Sequence, residues 1–414
     1  MPAYHLHIEG QVQGVGFRPN VYRIARKLSL KGWVSNGVDG VHIEIAGEEK
    51  YVQKFTREVL QHAPKNAIIL HYTFHEIDSS DYNEFEIRES SSAGVANVLL
   101  TPDLGLCEDC RDEILDPSNR RYHYPFTTCI HCGPRYSIVQ RLPYDRENTT
   151  MHSFQQCAPC TAEYGDVDNR RYYSQTNSCS SCGVSLQMMD RQGVVVSEDR
   201  DTIIDKTCAA LEDGKIVCLK GIGGFLLLTD ACNEEAIMTL RNRKHRPSKP
   251  FALLYPNLEK IKEDAEVSFA EETSLKSIQA PIVLLKLKGD VNHNISVHAL
   301  APGLNRIGVM LPYNPLLAIL MEKWKKPLVA TSGNISGSPF SMSMRRRLTT
   351  CHRSQTILSL TTVISLYRRM TVLSNFHPPP NKAYCCGAPG VLRQRMCTLP
   401  VAALPGHGSP WGVN

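Results

Sequence analysis

The chain has 414 residues, with 46 Lys plus Arg against 41 Asp plus Glu and a formal net charge of +5. From Ser341 to Asn414 it carries nine of those basic residues and none of the acidic ones, which leaves 37 against 41, a net of −4, for the preceding body. An argument for nucleic-acid binding from overall charge therefore fails, and no apolar run reaches the ~18 residues that a membrane-spanning helix needs.

The chain begins MPAYHLHIEG, without a basic stretch and apolar core of secretory type, so a reducing, cytoplasmic setting is expected. Tyr4 to Glu9 alternates apolar and polar residues as a half-buried strand does. Val21, Ile24, Ala25 and Leu28 keep helical spacing behind Pro19. Val41, Ile43 and Ile45 alternate again; a helix is predicted over residues 48–61 and strands over 68–76 and 83–88. The order β-α-β-β-α-β is the ferredoxin-like split βαβ. His5 and His7 alternate on a strand face and are expected to be solvated.

Between the first strand and helix, Gln13-Gly14-Val15-Gly16-Phe17-Arg18 can turn consecutive N–H groups onto an anion, with Arg18 adding a planar charged fork. Asn36, in Gly32-Trp33-Val34-Ser35-Asn36, offers an amide able to orient a water. These segments resemble the acylphosphatase family, with its VQGVGFR and GWVxN patterns. The resemblance implies that Arg18 and the loop Gln13, Gly14, Val15, Gly16 and Phe17 bind a phosphoryl group, and that Asn36 holds the attacking water.

After a Ser/Gly linker (residues 90–94) come four CxxC pairs: Cys107/Cys110, Cys129/Cys132, Cys157/Cys160 and Cys179/Cys182. The second half repeats the first at an offset of fifty residues. Asp116, Asn119, Arg120, Arg121 and Tyr122 return as Asp166, Asn169, Arg170, Arg171 and Tyr172. Two tight CxxC turns bring four thiolates to one tetrahedral ion, so two closed, structural zinc sites are predicted. Ligand pairing within or across the repeats stays open.

From about residue 200 an α/β pattern returns, with a helix near 203–211 and short apolar strands at 216–219, 225–229, 251–255, 282–287, 307–311 and 327–331. Lys220 opens the glycine turn KGIGGF; Lys244 and Arg246 stand in a basic cluster; Ser332 and Asn334 follow a strand in TSGNISG. These three elements resemble the YrdC-like nucleotide-binding family. The resemblance implies that ATP with Mg2+ is held by Lys220, Lys244, Arg246, Ser332 and Asn334.

The expected organisation is a multidomain α+β and α/β chain. An acylphosphatase-like domain covers 1–92, a tandem four-cysteine zinc-finger region 103–186, an incomplete YrdC-like domain 198–340, and an aberrant, disordered basic tail 341–414, read as a frameshift product. In that order the units resemble the HypF family of hydrogenase-maturation carbamoyltransferases. That implies carbamoyl phosphate cleavage, ATP-dependent formation of carbamoyl-adenylate, and transfer to the C-terminal cysteine of a HypE-type acceptor, with the final transfer domain missing. The chain departs from the family at Leu226 and Leu317, where histidine is usual. The rival readings are a threonylcarbamoyl-adenylate synthase-like enzyme and a zinc-finger nucleic-acid binder; the acylphosphatase loop counts against the first and the acidic body against the second.

Overall fold

A computed structural model describes residues 1–78, 81–190, 194–289 and 294–333, together with three backbone strands farther on. The first unit runs β1 (Ala3–Gln11), α1 (Phe17–Lys27), β2 (Lys31–Asn36), β3 (Val41–Ala46), α2 (Glu49–Gln61), β4 (Ile68–Ile77) and β5 (Phe85–Ile87). Its sheet order is β4-β1-β3-β2-β5, the split βαβ expected. Alternation puts Leu6 opposite Ile43 and Ile8 opposite Val41, all buried, against Val21 and Ala25 of α1 and Val52, Phe55 and Val59 of α2. Strand alternation alone predicts solvated side chains for His5 and His7, and the structure differs. They are half-buried because β3 brings His42 between them, its ring stacked on that of His7 at 4.2 Å, while Asp39 takes His42 Nε2 at 2.9 Å.

The finger region has little regular structure: α3 (Glu108–Leu115), two 3-10 turns (Arg146–Asn148 and Thr150–Ser153) and α4 (Ala158–Gly165). Its apolar core is small, with Tyr124, Phe126, Ile138, Met151 and Val184 at its centre.

The third unit contains β6 (Leu186–Met189), β7 (Val195–Ser197), α5 (Arg200–Glu212), β8 (Val217–Gly221), β9 (Gly224–Asp230), α6 (Glu234–Lys244), β10 (Ala252–Leu254), α7 (Leu258–Asp264), β11 (Ala265–Glu266), α8 (Phe269–Leu275), β12 (Ile282–Leu287), α9 (Val297–Leu300), β13 (Arg306–Met310), α10 (Pro315–Trp324) and β14 (Leu328–Ser332). These strands form one mixed sheet, β12-β13-β10-β14-β9-β8, extended by the backbone strands β15 (Thr356–Leu360), β16 (Val372–Asn375) and β17 (Lys382–Cys385). The strands are apolar throughout because both faces are covered. Leu254, Met310 and Leu328 face α5 and α10, whereas their neighbours Leu253, Val309 and Val329 face α6. Apart from those backbone strands, the tail expected over 341–414 lies outside the described residues.

Candidate functional site

The turn between β1 and α1 owes its shape to two glycines in the left-handed region, Gly14 at φ 74° and Gly16 at φ 80°. Among the described residues, no protein acceptor takes the N–H groups of Gly14, Val15 or Gly16. The start of α1 directs its dipole at the same place, and Gly16 caps that helix without a side-chain bond. Arg18, 8% exposed, is the second residue of α1. Asn36 ends the neighbouring strand β2; with its amide oxygen turned to the guanidinium, it accepts from Arg18 Nη2 and Nε at 3.3 and 3.2 Å. Gln13, Gly14, Gly16, Phe17, Arg18 and Asn36 thus line one concavity, while the Val15 side chain is buried in the core of the unit.

Other groups there were not legible in the sequence. Asp145 of the finger region accepts from Arg18 Nη2 at 2.6 Å, and Ser90 Oγ accepts from Nη1 at 3.2 Å. Tyr144, Tyr173, Ser174 and Gln175 complete the wall. Gln13 ties the parts together. Its Nε2 donates to Gly37 O and Gly40 O at 2.6 and 2.9 Å, and its Oε1 accepts from Tyr144 N at 2.9 Å. Arg135 Nε donates to Gly14 O, and a Cβ on Gly16 would approach the Ile130 side chain to 3.1 Å, so the glycines also admit the finger region. Only Tyr173 and Ser174 had a sequence signal, since they directly follow the repeated NRRY.

The eight cysteines form two clusters, each within one repeat: Cys107, Cys110, Cys129 and Cys132, then Cys157, Cys160, Cys179 and Cys182. Sγ–Sγ separations are 3.7 Å (Cys107–Cys129, Cys157–Cys179), 3.8 Å (Cys129–Cys132, Cys179–Cys182) and 3.6 Å (Cys160–Cys182). A tetrahedron with Zn–S bonds of about 2.3 Å has edges of roughly 3.8 Å, so both clusters fit zinc. The first CxxC of each repeat opens a helix, with Cys107 and Cys157 at the N-caps of α3 and α4. The second folds as a knuckle, and Gly133 is required in it: φ is 93° and a Cβ would meet the Thr128 side chain at 2.4 Å.

What crosses the repeats is arginine. Asn119 and Asn169 each accept from the N–H two residues on (Arg121, Arg171) at 2.9 Å, making turns that launch the paired arginines. Arg120 donates to Cys160 Sγ at 3.0 Å and Arg170 to Cys110 Sγ at 3.3 Å. Arg121 grips Glu163 through both η nitrogens at 2.9 and 2.5 Å and donates to Ser178 O; Arg171 grips Glu113 likewise and donates to Thr128 O. Burial alone would raise the Glu163 carboxyl, but the hydrogen bonds from Arg121 and Arg120 outweigh it and hold it at about 2. A zinc with four thiolates carries two excess negative charges, and a guanidinium from the other repeat offsets one at each cluster.

A third group, His7, Asp39 and His42, also lies within 4.8 Å. Its two imidazoles are parallel to within 4°, and an ion cannot lie in both ring planes at once. The arrangement is a stacked, hydrogen-bonded network.

In the third unit, β14, β9 and the end of α6 bring several basic and hydroxyl groups together. Lys244 Nζ donates to Ser332 O at 2.7 Å, Arg246 Nη1 reaches Thr331 Oγ1 at 3.5 Å, and Gly333 N donates to Phe225 O at 2.7 Å. His245, left-handed at φ 48°, ends α6 and turns Arg246 back across the Phe251 ring at 4.9 Å. Lys220, on the next strand beyond β9, is half-buried, and desolvation lowers its pKa. Asn334 lies outside the described residues. Leu317 is buried in the core and Leu226 pairs with Ser332 across β9 and β14.

Comparison with known proteins finds three family models in succession along the chain, the last of them running past residue 340, where the tail was expected to begin. The acylphosphatase family model matches residues 4–87, the HypF finger model 106–139 and 157–189, and the Sua5/YciO/YrdC (telomere recombination) model 209–359. A carbamoyltransferase HypF of Synechocystis is 48% identical over 332 residues, which is 80% of this chain and 43% of that protein. The crystal structure of full-length HypF in the phosphate- and nucleotide-bound form superposes with a TM-score of 0.84 at 40% identity, over 91% of this chain and 48% of that one. The acylphosphatase of Thermotoga maritima is 37% identical over 89 residues, 98% of its length. The chain spans about half the length of the HypF proteins it matches.

Proposed function

Over 80% of its length the chain belongs to the HypF carbamoyltransferase family, and on that premise we propose that its first site cleaves carbamoyl phosphate and its third unit activates the product with ATP. The observation that carries the first step is Arg18 beside Asn36 over a turn whose N–H groups are free for an anion. Arg18 and the turn hold the phosphoryl oxygens as charge builds on them. Asn36 orients a water at phosphorus, and carbamate leaves with phosphate as the other product. Positioning and fixed dipoles supply the catalysis, so no protein nucleophile is needed. A phosphoryl group taken by Arg18 competes with Asp145 for the same guanidinium.

Carbamate then meets ATP in the third unit. Lys244, Arg246 and Lys220 supply cations for the triphosphate, with Ser332 and Asn334 proposed for phosphate or Mg2+ contact, giving carbamoyl-adenylate and pyrophosphate. The acceptor is a HypE-type protein with a C-terminal cysteine, and the setting is cytoplasmic. Among the described residues no helix is long and apolar enough to cross a membrane.

The test is carbamoyl phosphate hydrolysis by the full chain. Wild type should release phosphate and Arg18→Ala should not, with both giving the same circular dichroism. Equal rates in the two proteins refute the assignment.

A further inference from the structure

The wall that the finger region adds to the phosphate-loop pocket includes Tyr144 and Ser174, whose buried hydroxyls make no protein hydrogen bond of good geometry, the charge beside the phenol being the Arg135 guanidinium. The residues are 7% and 2% exposed. A hydroxyl shut away from water with no hydrogen bond is destabilising, and such groups are rare in native proteins. Here both residues line one pocket that also contains Arg18, Asn36 and the glycine turn.

Neither hydroxyl is needed to hold its own residue. Tyr144 is fixed through its backbone N–H to Gln13 Oε1 at 2.9 Å, and Ser174 through its N–H to Arg171 O at 2.9 Å and its carbonyl to Asn177 N at 3.0 Å. The backbone is thus positioned independently and the side-chain oxygens remain for something else. Arg18, Asn36 and the loop amides account for a phosphoryl group, so the unmet hydrogen-bonding capacity belongs to whatever that group is attached to.

We propose that Tyr144 and Ser174 are specificity-determining residues that bind the acyl end of the acyl phosphate whose phosphoryl end sits on Arg18 and the glycine turn. The inference rests on the acyl-phosphate reading of that turn. A carbamoyl end presents both a carbonyl oxygen and an N–H donor, and a hydroxyl can serve either. Burial raises the Tyr144 phenol further above neutrality, so it keeps its proton for donation. The acyl-phosphate site is then shared between two units: the first reads phosphate and the finger region reads what phosphate carries.

The experiment compares full-chain wild type, Tyr144→Phe and Ser174→Ala, each zinc-loaded, in carbamoyl phosphate hydrolysis, in competitive inhibition by inorganic phosphate, and in thermal unfolding. Each variant should lose roughly three- to tenfold in kcat/KM, the size of one neutral hydrogen bond, mainly through KM. The phosphate inhibition constant should stay within about twofold, because the phosphoryl half is untouched. The melting midpoint should hold or rise, since each change removes an unpartnered hydroxyl. Unchanged kcat/KM in both variants overturns the proposal, as does a lowered midpoint or an equal weakening of phosphate inhibition. Should Arg18→Ala still hydrolyse carbamoyl phosphate, the reading of the turn itself fails; should it be inactive while both hydroxyl variants match wild type, only this inference fails.

Discussion

Arg121→Ala should destabilise the finger region by about 3 kcal/mol, far more than loss of an exposed ion pair. The Arg121 side chain is 2% exposed and its partner Glu163 19%. It makes two hydrogen bonds to Glu163 and one each to Ser178 O and Asn177 Oδ1. Breaking a buried pair costs roughly 3–5 kcal/mol because one charge is left uncompensated. The carboxylate gives a second route to the figure. Glu163 is held at about 2 against an ordinary 4.5, and at about 1.4 kcal/mol per tenfold that gap is about 3 kcal/mol. Arg120, 34% exposed, shares the task, which puts Arg121→Ala at the lower end of the range. Because the folded carboxyl is depressed, the stabilisation is complete above pH 4.5 and disappears as pH falls towards 2. Urea-driven zinc release, followed with a chromogenic chelator at neutral pH, reports this region separately from the rest of the chain. The advantage of wild type over Glu163→Gln should shrink below pH 4.5. A cost under about 1 kcal/mol for Arg121→Ala would refute the claim that the pair is a buried structural tie.

Asn36→Ala should lower kcat more than it weakens inhibition by inorganic phosphate, since its amide places water rather than the phosphoryl group; parallel changes would count against that role. Elemental analysis should find two zinc ions per chain, with Cys129→Ser losing about one and unfolding locally within residues 103–184 by hydrogen exchange. Two or more disulfides in protein purified under reducing conditions would contradict it. Ser268→Ala removes the capping box of α8, in which Ser268 Oγ accepts from Glu271 N and the Glu271 carboxylate accepts from Ser268 N. It should cost about 1 kcal/mol in urea unfolding while leaving phosphate release unchanged.

Much of this molecule is legible along the chain. Most strand and helix positions in the first unit follow from period-2 and period-3.6 patterns, because one face of those elements is buried and one is not, whereas β4 is exposed along nearly all its length. The strands of the third unit stand out as short apolar runs because Leu253 and Leu254 face opposite cores. Arg18, Asn36 and the cysteines are legible because their chemistry dictates local spacing. Asp145 is not, for it reaches Arg18 across 127 positions from a loop with no pattern of its own. The sequence displayed the repeated Arg-Arg pairs without their purpose, since each serves residues in the other half. His5 and His7 look solvated until β3 supplies His42 between them.

The crossed arginines bear on how such a duplication can change over time. Each half supplies the counter-charge for the other's thiolates and the fork for the other's glutamate, so neither repeat is a self-sufficient module. Deleting one half would strand a glutamate and an arginine pair in the survivor. Drift at Glu113 is tied to drift at Arg171, fifty-eight positions away, and Glu163 to Arg121, forty-two away. Substitutions at these paired positions should therefore be strongly epistatic: harmful singly, tolerated together. The two repeats within one polypeptide are mutually dependent in the manner of an obligate dimer.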